Sequence, residues 1–541
     1  MAAPNPLLPE EPMDVETPVL VVGGGMAGLS TAAFLCHQGV RPMLVERHTE
    51  PSRLPRARTV NARTMELYRA LGLEDAIRAR PSVYARWPEM ARADTVAGEE
   101  RFRPRAGEHT PADVSPVPWG PINQDELELI LRDYAGRHGA DVRFGTELVS
   151  FTAGGAGVVA RLRERATGAE HAVRAAYLVA ADGPRSPVRE RLGIGFRDFR
   201  GIGTVTHYAN VFFRADLSGA TRGRPIGLWF LDRPKPGTVL MPRDLEGTCV
   251  LMVPFDPERV GGLSDADCVE LVRTAVGANG LKVELLSDIP GEPRRLRTWE
   301  LAGRLADGYG RGRVFLVGDA AHVMPPTGAF GANVSVHDGH NLAWKLALVL
   351  DGTAGPDLLA TYEAERRPVA AFTIDQAMRH LRESTDLGDG GGAPADELET
   401  IFGYTYRSAA PSGDLPAAVH PRAARGLPGT RAPHVELVRD GRRISTLDLF
   451  TGRFVLLSGS EDRAWCDAFR NTARRYGLPL NAFRRGDGID GALETAYGIG
   501  AAGAALIRPD GFVAWRCPEP ADDAAAVARD VLSRSLCLPP R

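Results

Sequence analysis

Three glycines and two carboxylates carry the most pointed chemistry in this sequence. Gly23, Gly25 and Gly28 form G-x-G-x-x-G, with Met26 and Ala27 inside it, directly after the apolar run Pro18–Val22. Such glycines let the chain turn tightly and let a pyrophosphate approach the start of the next helix, whose free N–H groups and dipole favour anions. Glu46 follows a second apolar run, Arg41–Val45, and lies 18 residues after Gly28. A carboxylate there is placed to accept both hydroxyls of an adenosine ribose. A second match, Gly498–Gly503, follows LETAY and leads into an apolar strand instead of a helix. It fails the context test and is set aside.

The segment Arg313–Leu346 decides which dinucleotide is expected. A strand ends at Gly318-Asp319, putting a carboxylate at the edge of the sheet, where it can bond a polyol chain. Pro325, Pro326, Gly328 and Gly331 then make a loop of small residues, and a helix is expected to begin near Asn333. Free N–H groups at a helix start suit an electron-rich ring edge, and its positive end stabilises a reduced, anionic flavin.

These groups need a scaffold. Leu29–Gln38 reads as the helix between the first two runs, which completes a βαβ unit. Tyr177–Ala181 and Val314–Val317 read as further buried strands, so far apart that another module must interrupt the nucleotide-binding one. That module is placed at 195–290, where Val205–Phe213, Ile226–Leu231, Val239–Met241 and Cys249–Phe255 predict an antiparallel sheet. On a regular strand His207, Ala209, Val211 and Phe213 share one face, while Tyr208, Asn210 and Phe212 share the other. His207, Tyr208, Trp229 and Met241 are the pocket candidates, although apolar residues on such strands more often serve as plain core. The run GDGGGAP at 388–394 marks a linker, set at 386–404. Beyond it Leu447–Phe450, Phe454–Ser458, Trp465–Tyr476, Ala505–Ile507 and Phe512–Trp515 read as a separate α/β domain over 405–541.

Composition narrows the function classes. The 541 residues are 44% hydrophobic and 25% charged, as in soluble globular proteins, and the net charge of −3 gives no footprint for nucleic acid. The 65 basic residues include only three lysines, Lys235, Lys282 and Lys345, which reflects arginine-rich composition and not a binding surface. The six cysteines show neither a CxxC pair nor metal-ligand spacing, so no metal is expected and a reduced, cytoplasmic protein is. Residues 1–16 are acidic and Pro-rich, a loose tail and not a signal peptide. No apolar run reaches the length of a membrane span.

Gly318-Asp319-Ala-Ala-His322, Pro325-Pro326, Gly331, Asn333, Asp338 and Asn341-Leu-Ala-Trp-Lys-Leu346 resemble the second FAD motif of the single-component flavoprotein aromatic hydroxylases, the para-hydroxybenzoate hydroxylase-like family. Pro55-Arg56-Ala57 with Arg63–Glu66, Gln124 with Leu127-Glu128, and Ala181-Asp182-Gly183 with Ser186 and Arg189 resemble its other fingerprints. GTRAPH at 429–434 and ALIRPDGFVAWR at 505–516 resemble the thioredoxin-like tail of the polyketide and phenol hydroxylase branch. The resemblance implies an α/β fold. A Rossmann-like, glutathione-reductase-like FAD domain (17–194 and 291–385) is interrupted by the substrate sheet, and a thioredoxin-like domain without CxxC follows.

The resemblance also implies FAD contacts at Gly23, Gly25, Met26, Ala27, Gly28, Glu46, Arg47, Arg56, Gln124, Leu148, Asp182, Asp319, Pro326, Gly331, Ala332 and Asn333. The chain departs from the family at Ala329, Val334, Ser335 and Gly339, and Ser335 is expected to add bulk near the ring. The implied reaction uses NADPH to reduce FAD. O2 then adds at the flavin C4a, and the hydroperoxide hydroxylates an aromatic, polyketide-derived phenol. Baeyer–Villiger insertion on a ketone, or a flavin reductase or sensor without oxygen transfer, remain open at this point. The expected partner is an aromatic small molecule, with no nucleic acid and no membrane, and the protein a monomer or homodimer. His322 is expected to pack and hydrogen-bond rather than to catalyse, and no residue is singled out as the base.

Overall fold

A computed structural model describes residues 15–53, 56–102, 110–201, 204–257, 263–287, 296–384, 393–408, 415–459, 463–486 and 492–538. Most of the N-terminal tail, Pro55 and the glycine run of the linker lie outside these residues.

The strand Val15–Val22 ends in four consecutive buried residues, as a strand covered on both faces must. It pairs in parallel with Met43–Glu46 on one side and Glu170–Ala180 on the other. Asp141–Phe144 extends the sheet beyond Met43–Glu46, and Val314–Leu316 extends it beyond Glu170–Ala180. Glu46 and Gly318 thereby come to the same edge of one sheet, with the strands Val15–Val22 and Glu170–Ala180 between them. Helix Met26–His37 is buried nearly all round, packed between the helices Gln124–Arg137 and Phe330–Leu350. Its apolar, alanine-rich sequence suits that position.

The second sheet runs in the order Glu284–Leu285, Thr204–Arg214, Thr248–Phe255, Thr238–Pro242, Ile226–Leu231, Glu89–Ala93, Glu100–Phe102, with Leu296–Ala302 also paired to Thr204–Arg214. The expectation of a purely antiparallel sheet confined to 195–290 needs correcting. Glu89–Ala93 joins it in parallel with Ile226–Leu231, and Leu296–Ala302 joins from beyond the expected boundary. Both strands are short and lack strong periodicity, so neither stood out in the sequence. One face of this sheet packs Val211, Phe213, Trp229, Leu240 and Leu251 against the helix Asp265–Val276.

Past residue 425, a four-stranded sheet has the order Leu480–Arg484, Phe454–Ser458, Ala504–Ile507, Val513–Cys517, with only the first pair parallel. Helices Ala464–Tyr476 and Ala524–Ser535 cover one face, where their core continues onto Trp344 and Leu348. Leu447–Phe450 is not a strand: Thr446–Leu449 forms a 3-10 turn capped by Ser445. The linker expected at 386–404 also ends early. Glu397–Phe402 is a helix capped by Asp396, and Thr400, Ile401 and Phe402 are buried. Among the described residues no helix is long and apolar enough to cross a membrane.

Candidate active site

The glycine turn has one open face. Gly23 takes a positive φ of 112°, and a Cβ there would strike the carbonyl oxygen of Ala181; a Cβ on Gly28 would strike that of Gly23. Both positions therefore admit only glycine. Gly25 differs: a Cβ there would meet nothing nearer than Glu128 Oε1, at 3.8 Å. Gly25 is also the N-cap of helix Met26–His37 and provides no side-chain cap, which leaves the first N–H groups of Met26, Ala27 and Gly28 to an outside acceptor. A phosphate fits that space and that donor set.

Around the turn stand the ribose and phosphate candidates. Glu46 accepts from Gly24 N at 2.7 Å, from His48 N at 2.9 Å and from His48 Nδ1 at 2.6 Å. Burial works against its ionisation, but these bonds outweigh it and hold the carboxyl below its ordinary value. Arg47 and Arg56 are exposed, and Leu148 is half-buried against the main core. Gln124 bonds both ways with the Ala57 backbone and donates Nε2 to Glu128 Oε1 at 2.7 Å.

Asp182 is committed within the protein. It accepts from Ser186 Oγ at 2.6 Å and Val188 N at 3.1 Å, fixing the short helix Pro187–Arg191. That helix aims the buried Arg189 guanidinium at Ala320 O, 3.0 Å away, so this fingerprint supports the Gly318–His322 turn from behind.

Asp319 keeps solvent-accessible surface although protein crowds it, and burial raises its carboxyl, with His322 and Arg56 partly offsetting that. Among the described residues no group donates to its carboxylate. The turn that carries it lies against the glycine motif: a Cβ on Gly318 would come within 2.7 Å of Ala27 Cβ.

The helix after the loop begins at Phe330, three residues earlier than expected, because Gly328 (φ 76°) and Ala329 (φ 53°) reverse the chain first. Gly331, Ala332 and Asn333 thus fall in the first turn, with no side-chain cap, and Pro326 is exposed at its mouth. Asn333 is held by three bonds: its Oδ1 accepts from Asn61 N (3.0 Å) and Thr64 Oγ1 (2.6 Å), and its Nδ2 donates to Ala329 O (2.7 Å). Ser335 does not point at the cleft. Its Oγ turns back to Gly331 O at 2.9 Å and packs beside Gly318. Gly339 answers Thr31, whose side chain fills the space a Cβ would need between the two helices.

The sheet register sorts the four pocket candidates. Trp229 is fully buried and its neighbours Leu240, Leu251 and Val211 all face the helix Asp265–Val276, so Trp229 is core. His207 shares that parity, lies beside Phe255 and is no pocket wall. Met241 is on the opposite face, with Phe212 and Val250 and the half-buried Leu228, Val239 and Met252 around it. Phe230 is 38% exposed on this face. Tyr208 also belongs here: it stacks on Trp299, whose Nε1 donates to Asn210 Oδ1 at 2.9 Å. Tyr208 and Trp299 pack against the first core, as do Met324 and Ala332 of the loop. Trp299 went unnoticed because it lies beyond 290. Thr64 and Glu128 stood inside recognised motifs, and Glu128 could have been paired with Gln124 from their i,i+4 spacing.

The tail reaches this site through buried charge. Arg508 donates to Glu365 at 2.6 and 2.8 Å and pairs with Asp510; Lys345 Nζ reaches Glu365 at 2.7 Å. Arg431 Nε donates to Glu66 Oε2 at 3.0 Å, and the same carboxylate takes Arg63 at 2.9 Å.

The sequence matches two family models, "FAD binding domain" over residues 16–377 and "Aromatic-ring hydroxylase, C-terminal" over 425–539. It is 41% identical to 4-methyl-5-nitrocatechol 5-monooxygenase of Burkholderia sp, covering 98% of this chain and 99% of that one. It is 42% identical to aklavinone 12-hydroxylase of Streptomyces purpurascens, covering 97% and 99%. A crystal structure of aklavinone-11 hydroxylase with FAD and aklavinone superposes with a TM-score of 0.89 at 40% identity, over 97% of this chain and all of that one.

Proposed function

Because the chain belongs to the FAD-dependent aromatic-ring hydroxylases, we propose that it is a monooxygenase that hydroxylates a polycyclic, polyketide-derived phenol at the expense of NADPH and O2. Bound FAD supplies the redox chemistry, and the protein supplies binding, orientation and exclusion of water. The observation that carries the reading is the contact of Gly318 with Ala27, which brings the turn that carries Asp319 against the glycine motif.

In this reading the N–H groups of Met26, Ala27 and Gly28 take the pyrophosphate, with Arg47 and Arg56 nearby as exposed cations. Glu46 takes the ribose, Asp319 the ribityl chain, and the first turn at Gly331, Ala332 and Asn333 the ring edge. Gln124, Leu148 and Pro326 line the approach. Asp182 holds the protein and not the cofactor. Met241, Phe212, Leu228, Phe230 and Met252 cover the aromatic substrate and keep water out. Tyr208 donates its hydroxyl to Gly237 O at 3.1 Å, and burial raises its pKa, so it is no proton acceptor. The phenol's own acidity then provides the electron-rich ring.

We read 17–194 and 291–385 as the FAD-binding part, extended 195–290 as the substrate part, and 405–541 as a thioredoxin-like domain without redox function of its own. Cysteines without a CxxC pair or metal-ligand spacing support a reduced, cytoplasmic protein, which we take to be a monomer or homodimer. The test is NADPH oxidation by the purified protein with and without a polycyclic phenol, followed by product mass. Gain of one oxygen on an intact ring supports the reading. An inserted ring oxygen favours Baeyer–Villiger chemistry, and oxidation without any oxygenated product favours a reductase.

A further inference from the structure

Glu128 sits beneath the open face of the glycine turn. Among the described residues outside the helix that Gly25 caps, its Oε1 is the one atom within 4 Å of where a Cβ on Gly25 would stand. That oxygen already accepts from Gln124 Nε2, and among the described residues no group donates to Oε2. The residue is only 2% exposed. An ionised carboxylate and a pyrophosphate cannot share such a place without strong repulsion, whereas a neutral carboxyl is a hydrogen-bond donor.

We propose that Glu128 binds the dinucleotide phosphate as the neutral acid, donating its carboxyl hydrogen, so that FAD binding takes up a proton from solvent wherever the free carboxyl is ionised. The inference rests on the reading that the glycine turn holds FAD.

The surroundings support it. From its own helix Gln124 bonds Glu128, and Asp125, itself paired with Arg243, opposes its charge. Arg56, from the segment after the second strand, favours the charge, while Glu46, at that strand's end and paired with His48, opposes it. On the helix Ala62–Ala70 stands Tyr68, neutral and hydrogen-bonded to Ser30 at 2.8 Å. Burial dominates and pushes the Glu128 carboxyl up to about 7. A bound pyrophosphate raises it further.

The test is a titration of the apoprotein with FAD between pH 6 and 9, read by flavin fluorescence. Calorimetry in buffers of different ionisation heat counts protons in parallel. The wild-type Kd is expected to weaken by up to about tenfold per pH unit above 7, with net proton uptake. Glu128→Gln keeps an N–H donor but cannot titrate; its Kd is expected to stay flat, with the uptake gone. His48→Gln is expected to keep the uptake, which excludes the imidazole beside Glu46 as its source. A flat wild-type Kd without proton uptake, or an uptake that survives in Glu128→Gln, overturns the proposal and leaves the FAD reading intact. Failure of the folded apoprotein to take FAD at any pH overturns both.

Discussion

Arg366 Nε donates to Asp338 Oδ1 at 2.8 Å, and neither side chain touches solvent. The other oxygen of Asp338 accepts from His322 Nε2 at 2.7 Å and from Gly318 N at 3.1 Å. One buried carboxylate thus ties two long helices to the turn that carries Asp319. Burial alone would raise Asp338, but His322 and Arg366 outweigh it and keep the carboxyl below its ordinary value. His322 is accordingly a positioning residue.

Asp338→Asn leaves the Arg366 guanidinium buried without its counter-charge, which costs roughly 3–5 kcal/mol. Thermal unfolding of the apoprotein is expected to shift well downward, and FAD content to fall with it. An unshifted transition would contradict the role given to this pair.

Asp319→Ala acts on the cofactor and not on the fold. Loss of a hydrogen bond to a charged group weakens FAD binding by roughly tenfold to a hundredfold. Because its surroundings disfavour the ionised carboxyl, the apoprotein is expected to melt no lower than wild type. A folded variant that retains as much flavin as wild type would count against the assignment.

The two sheet faces separate in mutants. Trp229→Ala empties a fully buried site and is expected to cost roughly 3–5 kcal/mol. Phe230→Ala, on the other face, is expected to raise KM for the aromatic substrate several-fold while unfolding near the wild-type temperature. The reverse pattern would mean that the faces are assigned the wrong way round.

Removing everything after residue 395 strips Arg431, Arg508 and Asp510 from Glu66, Glu365 and Lys345. Burial alone would raise Glu365, yet Arg508 and Lys345 hold its carboxyl well below the usual range, while burial pushes Lys345 down to about 8. The truncated chain is expected to be insoluble or to melt far lower than the full chain. A soluble fragment that binds FAD, oxidises NADPH and loses only substrate selectivity would show that the tail is not structural.

Glu128 also sets a pH dependence of stability. Its carboxyl rises from 4.5 to about 7 on folding, so the folded state holds the proton more tightly. The corresponding stability is complete below 4.5 and is lost as pH rises through about 7, by ~3 kcal/mol at most. Glu128→Gln is expected to gain on wild-type apoprotein across that window and to run parallel above it. Parallel curves from pH 4.5 upward would contradict the shift.

Much of the cofactor site was legible because its logic is local. Gly23, Gly25, Gly28 and Glu46 sit within one βαβ unit, and Asp319 follows a buried strand closely, although the strand stops at Leu316 and Asp319 lies in the 3-10 turn Gly318–Ala320 and not at the strand end expected. The alternation of Thr204–Arg214 was equally local, but which face is core depended on the distant helix Asp265–Val276, and that decided against Trp229 and His207. The helix start at Phe330 escaped because Ala329, an alanine, takes the left-handed conformation usually left to glycine. The charges joining the tail to the helices of the first domain come from separate segments. Lys345, Arg431 and Arg508 stand inside recognised motifs, but nothing in the sequence pairs them with Glu365 or Glu66 until the fold buries them.

The most direct measurement is stopped-flow reduction of the purified flavoprotein by NADPH, with and without a panel of polycyclic phenols, followed by product analysis under labelled dioxygen. A monooxygenase of this family is expected to be reduced much faster in the presence of one class of phenol and to place one labelled oxygen atom in the product. Fast reduction without any phenol, or reoxidation with no label in the product, would contradict it.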